Sequence, residues 1–162
     1  MTNEERTRQI EVYGSAVDLL TAALTEFPPE MWQYRSAPDD WTIHEIVIHI
    51  ADSEANSYVR CRRFIAEPGS MVLGYDERGW ADRLRYHEHS TADALQLFKW
   101  LRLESYHLIK TLSPVVWANT VNHTESGVMT MDQWLDIYTR HIPDHIAQMR
   151  AVYAAWKKSG AH

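Results

Sequence analysis

Two histidines four residues apart, His141 and His145, fall in a run (138–148) that reads as helix. At about 3.6 residues per turn they project from one face, one turn above the other. Two imidazoles so placed can close on a single metal ion, as in other motifs with a histidine pair at this spacing. Two ligands hold a metal poorly, so a third has to come from elsewhere. The candidate is His49, which interrupts the apolar face of a different helical stretch. Three neutral imidazoles leave the double charge of a divalent ion uncompensated and at least one position open, the pattern of a catalytic rather than a structural site. An open position binds water and lowers its pKa, or holds a thiol as thiolate, the nucleophilic form of sulfur. Hydrolysis and transfer to an electrophile are both within reach of such a site.

Either reaction needs a proton partner. Glu45, one turn before His49, and Asp52, nearly one turn after it, are the nearest carboxylates in sequence. Each is a candidate acid or base, or a group that orients a ligand histidine. Glu45 has a competing duty as the last residue of a capping box, Thr42-Ile43-His44-Glu45. Asn56 and Arg60 continue the polar line of His49, as a solvated stripe or as the wall of a pocket. Tyr138 and Gln148, one turn before His141 and nearly one after His145, are candidates for lining the same pocket. Asp144 points away from both flanking histidines. His44, His87, His89 and His107 have no partner at a useful spacing, and His123 stands among turn residues where a site role and a turn role are equally open. Cys61 lies about three turns beyond His49 and off its line, which reads as a buried, inert thiol.

The elements that must position these residues follow from periodicity and breakers. Ile10, Tyr13, Val17, Leu20, Leu24 and Phe27 step by three and four, predicting a first helix over 3–27 that ends at Pro28-Pro29. A second helix should start at Thr42 and run to about Ala66, stopped by Pro68-Gly69. Ser90-Thr91-Ala92-Asp93 opens a third, with Leu95, Phe98, Leu101, Leu108 and Leu112 apolar and Pro114 closing it. A second capping box, Thr130-Met131-Asp132-Gln133, opens a fourth that runs to about Lys157. Pro143 inside it removes a backbone donor and should kink the rod near Thr139. The segment 70–89 reads as a long connection holding a short helix over 76–87, and 115–128 as an extended loop or small hairpin. The expected architecture is all-α: a single domain over 1–162, an up-down or crossover four-helix bundle with long connections between helices two and three and between three and four.

Composition narrows the function classes. The 162 residues are 45% hydrophobic and 23% charged, with a net charge of −6 and scattered basic residues, which argues against nucleic acid as a partner. One cysteine excludes a disulfide framework and any cysteine-rich zinc module. The polar N-terminus lacks the apolar core of a signal peptide and no apolar run is long enough to span a bilayer, so the expectation is a cytoplasmic protein acting on a small molecule, away from membranes. Seven tryptophans and eight tyrosines are available for core and pocket walls.

Three fragments carry a family resemblance. Asp40-Trp41-Thr42-Ile43-His44-Glu45 followed by His49-Ile50-Ala51-Asp52-Ser53-Glu54 resembles the second-helix signature of the DinB-like superfamily, in particular its YfiT-type branch. Tyr75-Asp76-Glu77 with Trp80-Ala81 is similar to the middle of that family. His123-Thr124-Glu125-Ser126-Gly127-Val128-Met129-Thr130, leading to Tyr138, His141, His145 and Gln148, is similar to its loop and fourth helix. The resemblance implies a four-helix bundle with a divalent metal, typically nickel or zinc, on three histidines that map to His49, His141 and His145. It implies water at the remaining positions and, in many members, a homodimer. Characterised relatives include S-transferases and isomerases that use low-molecular-weight thiols such as bacillithiol or mycothiol, and others carry the label of metal-dependent hydrolase. This chain departs from the pattern at Thr124, where relatives often have proline, and at Pro143. The expectation is a metal-dependent enzyme that transfers a low-molecular-weight thiol to an electrophilic small molecule. The alternatives are a hydrolase of a small ester or amide and a non-catalytic metal or small-molecule binding bundle.

Overall fold

Each helix that carries or braces the histidines starts on a side chain that takes up an orphan backbone N–H. In the computed structural model, which describes residues 1–160, helix α1 (Asn3–Leu24) starts on Thr2 and α2 (Ile43–Ala66) on Thr42. The short α3 (Glu77–Arg83) starts on Asp76, α4 (Thr91–Ile109) on Ser90 and α5 (Met131–Ser159) on Thr130. At Thr2, Thr42 and Thr130 the third helical residue returns a bond to the N–H of the cap, closing a capping box. Past Leu24 the chain continues in tighter turns, with Phe27 N–H donating to the Leu24 carbonyl, so the apolar line of α1 still delivers Phe27 to the core.

The four long helices form a bundle of crossover type. α1 packs on α4 and α5, and α2 packs on the same two, which leaves α1 diagonal to α2 and α4 diagonal to α5. The core divides into two apolar clusters, and the order in which each helix enters them gives its direction. α1 and α5 run from the cluster of Tyr13, Trp134 and Leu135 to that of Leu20 and Ile146, while α2 and α4 run from Ile46 and Phe98 to Phe64 and Ile109. Parallel neighbours cannot be joined by a tight turn. The link between α2 and α4 has to travel back along a helix of 24 residues, about 36 Å at 1.5 Å each. This is why 67–90 is long, and it holds strand β1 (Met71–Val72), α3 and a single 3-10 turn at Tyr86–Glu88.

A three-stranded sheet pins the two long connections together. β1 pairs parallel with β2 (Thr120–His123), which pairs antiparallel with β3 (Gly127–Thr130), so that His123 lies opposite both Val72 and Gly127. Within 115–128, expected as extended loop or small hairpin, the hairpin begins only at Thr120, and Pro114–Ala118 coils into a 3-10 helix instead of running extended; Gly127, at φ 72°, supplies a left-handed residue where the turn rejoins β3. β1 has no signal in the sequence, because two residues carry no periodicity.

Between the two apolar clusters lies a buried polar layer. Arg102 of α4 donates to the Glu54 carboxylate of α2 at 2.6 Å, to the Tyr138 carbonyl of α5 at 3.2 Å and to the Tyr13 carbonyl of α1 at 3.4 Å. Tyr13 closes the layer by donating its hydroxyl to Glu54 at 2.8 Å, with the guanidinium 4.0 Å from the centre of its ring. One ion pair thus touches all four bundle helices. Pro143 does not interrupt α5, which is helical from Met131 to Ser159, so the two histidines stay one turn apart on a single element. Pro143 is exposed, with Ile142 and Ile146 buried beside it, and the Arg102 bond to the Tyr138 carbonyl falls in the turn the proline disturbs. Among the described residues no helix is long and apolar enough to cross a membrane.

Candidate metal centre

Helices α2 and α5 pack against each other and bring His49, His141 and His145 to one point. One ligand atom from each lies within 4.8 Å of the others. The Nε2 atoms of His141 and His145 are 3.1 Å apart with the rings nearly perpendicular at 89°, close to the edge, about 3.3 Å, of a tetrahedron with metal–nitrogen bonds near 2.0–2.1 Å. The His49 ring centre stands 4.9 Å from that of His145 and 5.7 Å from that of His141.

The surroundings keep these rings neutral and aim their lone pairs. Burial, then the proximity of His145, pushes His49 down to about 3. Burial likewise holds His141 well below the ordinary imidazole value, with His145, His49 and Arg102 acting in the same direction. His145 is also lowered by burial, partly offset by its bond to Gln148. Its Nδ1 lies 2.9 Å from the Gln148 Oε1; an amide oxygen accepts, so this contact favours the tautomer with the His145 proton on Nδ1, which leaves Nε2 toward the cluster as a lone pair. Ser53 Oγ is 3.3 Å from His141 Nε2, and the edge of Trp41 packs on His49 at 4.7 Å between ring centres. Among the described residues His49 Nδ1 is buried without a hydrogen-bond partner, an orphan polar atom in the candidate ligand itself. Three neutral, converging imidazoles fit a divalent ion. Replacing Gln148 with leucine is expected to weaken zinc binding about 10–100-fold, as loss of an orienting partner does elsewhere, measured by competition with a chromophoric chelator.

The carboxylates divide differently from their order in sequence. Glu45 spends one oxygen on the Thr42 N–H at 3.0 Å and the other on Arg35 at 2.5 Å. Asp52 accepts the Tyr86 hydroxyl at 2.5 Å and lines a separate groove with His89 and Asp93. The capping box and the 3-10 turn thus engage both. A carboxylate in direct reach of a histidine is Glu77, at the start of α3, half exposed and with Oε2 3.9 Å from His49 Nε2. Helical spacing along α2 could not find it, since it arrives from the connection; its only signal was the fragment Tyr75-Asp76-Glu77.

Of the other candidates, Asn56, Arg60 and Tyr138 line two cavities whose walls do not include the three histidines. Arg60 donates to the Tyr138 hydroxyl at 3.1 Å and to the Leu73 carbonyl at 2.5 Å, and Tyr138 packs on His141 at 5.8 Å between ring centres. Asn56 lies in an apolar groove next to Arg60 rather than against the histidines. His123 is buried at the end of β2, and its Nδ1 accepts the N–H groups of Glu125 at 3.2 Å and Ser126 at 3.3 Å. His44 is tied to the Tyr86 carbonyl at 3.0 Å, a structural duty. Cys61 is fully buried and its thiol is pushed up to about 12 by that burial, which leaves it unreactive.

Known proteins share this framework. The family model of the DinB superfamily matches residues 15–149. The chain is 31% identical over 119 residues to a protein of Oceanobacillus iheyensis named "Putative metal-dependent hydrolase", covering 74% of this chain and 67% of that one. A protein of the same printed name from Halalkalibacterium halodurans is 27% identical over 144 residues, 88% of this chain and 81% of its own. The solved structure of YfiT from Bacillus subtilis, described as having an unusual four-helix bundle topology, superposes with a TM-score of 0.87 at 22% identity, over 99% of this chain and 90% of that one. With a family model matched over most of its length and the same bundle, this chain belongs to the DinB superfamily.

Proposed function

We propose that this protein is a metal-dependent enzyme in which His49, His141 and His145 hold a zinc or nickel ion and a low-molecular-weight thiol is transferred to an apolar electrophile. What a divalent ion supplies when bound at three neutral imidazoles is a lowered pKa for the thiol or water beside it. The observation that supports the thiol reading is that two cavities share Arg60 as a wall. One is an apolar groove of about 390 Å³ lined by Val59, Met71, Leu73 and Trp80. The other, about 170 Å³, has a mixed lining in which Tyr75, Glu77, His123 and Glu125 stand beside Met129, Trp134 and Ile137. Two substrates need two such places, whereas hydrolysis of a small ester needs one. The Tyr75 and Trp80 rings, 4.5 Å apart, form the rest of the partition.

In the transfer, a sulfur–carbon bond forms as the carbon–leaving-group bond breaks, with the electron pair going to the leaving group. In this reading Glu77 accepts the thiol proton. Although its side chain is 55% exposed, partial desolvation raises its carboxyl above the usual range, Arg60 lowering it and Glu125 raising it further, the direction that makes a better base. The apolar groove would hold the body of the electrophile and keep water from competing. Hydrolysis is the second reading, favoured by the printed names of the relatives and by the same Glu77 as a base for water.

The test uses protein purified without a tag, its metal content measured by plasma mass spectrometry and its turnover assayed with chlorodinitrobenzene and a panel of thiols. The expected result is conjugation that follows metal content and falls to the rate without protein in His49→Ala and His141→Ala. Histidine-dependent cleavage of nitrophenyl acetate without thiol, and no conjugation, would establish the hydrolase instead. Stoichiometric metal with neither reaction would leave a binding bundle.

A further inference from the structure

One face of α2 meets the outer edge of β1 across the apolar groove. Asn56, Val59, Arg60 and Arg63 recur at steps of three and four along the helix and line the groove together. On the sheet side, the carbonyls of Ser70 and Val72 accept the N–H groups of Asn122 and Thr124. The carbonyls of Met71 and Leu73 therefore face the other way, toward α2. They accept from the guanidiniums of Arg63 at 3.3 Å and Arg60 at 2.5 Å. Closing this open strand edge is a structural duty. It takes one N–H from Arg63 and, with the Tyr138 hydroxyl, two from Arg60, out of five on each.

The same bonds fix two cations side by side on an apolar wall. Carbonyls two residues apart on an extended chain lie about 7 Å apart, a gap that one carboxylate bridges with a bond to each side. Around them Val59, Met71 and Leu73 are each more than half exposed, while Val72 is buried and Trp80 half-buried. Among the described residues no carboxylate lines the groove, although the chain carries a net charge of −6. The anion that competes for Arg63 is Glu67, 3.3 Å away; with side chains 41% and 59% exposed, that pair is weak and readily exchanged. The volume, about 390 Å³, equals roughly 13 molecules of liquid water at about 30 Å³ each and falls in the range of small-molecule sites.

We propose that the groove binds an apolar carboxylic acid of about a dozen non-hydrogen atoms, its carboxylate between Arg60 and Arg63 and its body on Val59, Leu73 and Trp80. A neutral ligand of the same shape leaves the guanidiniums unanswered, and a short acid leaves the apolar wall wet. That such an acid is also the electrophile rests on the thiol-transfer reading; its binding does not.

The experiment is a calorimetric titration of the metal-loaded protein with naphthoate and with naphthylmethanol, its neutral counterpart. The acid is expected to bind about 10–100-fold more tightly, the range of one charge-assisted hydrogen bond. Arg63→Met should remove most of that preference. Glu67→Gln, which releases Arg63, should raise the affinity for the acid about two- to fivefold. If the arginines only close the strand edge, Arg63→Met lowers the melting temperature and leaves the preference intact, which overturns the proposal. His49→Ala is the control for a carboxylate bound to the metal instead. It should keep the preference; a preference lost there but kept in Arg63→Met overturns the proposal, as does equal binding of acid and alcohol. Chlorodinitrobenzene carries no carboxylate, so its conjugation tests thiol transfer whatever the naphthoate result. Conjugation without a preference for naphthoate leaves thiol transfer standing and removes the acid site. The preference without conjugation upholds the acid site and removes the thiol reading.

Discussion

Replacing Arg102 with methionine is expected to lower the unfolding free energy by about 3–5 kcal/mol, the range for removing one member of a buried ion pair. The guanidinium is fully buried, and its removal leaves the Glu54 carboxylate, 1% exposed, with only the Tyr13 hydroxyl. An uncompensated buried charge accounts for most of the loss. The Tyr13 and Tyr138 carbonyls also lose a donor. Urea denaturation with tryptophan fluorescence measures the effect, and the melting temperature should fall by roughly 10 °C or more. The triple variant Tyr13→Phe/Glu54→Leu/Arg102→Met removes every polar member of the layer and should recover most of the stability. A triple variant as unstable as the single one would mean that side-chain volume, not charge, holds this layer together. Because α2 and α5 carry the three histidines and both touch Arg102, the layer bears on the spacing of the histidine cluster.

The metal-free protein is expected to lose stability steeply as pH falls below about 6.5. His49, buried to 1% exposure and held down to about 3, stays neutral in the fold while the unfolded chain takes up a proton near 6.5. The sign follows directly. Above the unfolded value neither state is protonated and the histidine has no effect. Below it the unfolded state binds the proton and gains, so folding stability falls, and keeps falling until the folded value is reached. Each such histidine contributes a slope of about 1.4 kcal/mol per pH unit, so His49 alone removes about 2 kcal/mol by pH 5. His141 and His145, lowered by the same burial, add to the loss in the same direction. Urea midpoints of metal-free protein at pH 7.5 and pH 5 measure it, and His49→Leu should flatten the profile. A wild-type midpoint that does not move between these pH values would mean that the three rings are solvated rather than buried.

Much of this was legible in the chain. The capping boxes at Thr42 and Thr130 and the apolar spacing placed the long helices within a few residues, because caps and periodicity are local and carry their own geometry. The pair His141 and His145 was legible for the same reason: a single helix fixes their relation before any packing occurs. His49 was a weaker inference, since a residue on another helix reaches the pair only if α2 and α5 pack, and packing is not written in spacing.

What only the tertiary structure decided is everything that depends on a long-range neighbour. Glu45 and Asp52 stood nearest His49 in sequence, yet Arg35, Thr42 and Tyr86 claim them, and Glu77 arrives from a connection instead. Arg102 sits on the apolar line of α4 with Phe98 and Ile109, where nothing in its own helix discloses that Glu54 and Tyr13 wait on two others. The direction of the helices is of the same kind. Periodicity places a helix but not the way it runs, and it is the parallel setting of α2 and α4 that forces the long return over 67–90 and so brings Glu77 to His49. The sequence by itself determined the imidazoles and the rods that carry them; the partners that hold, orient and face them come from segments whose meeting only the folded chain fixes.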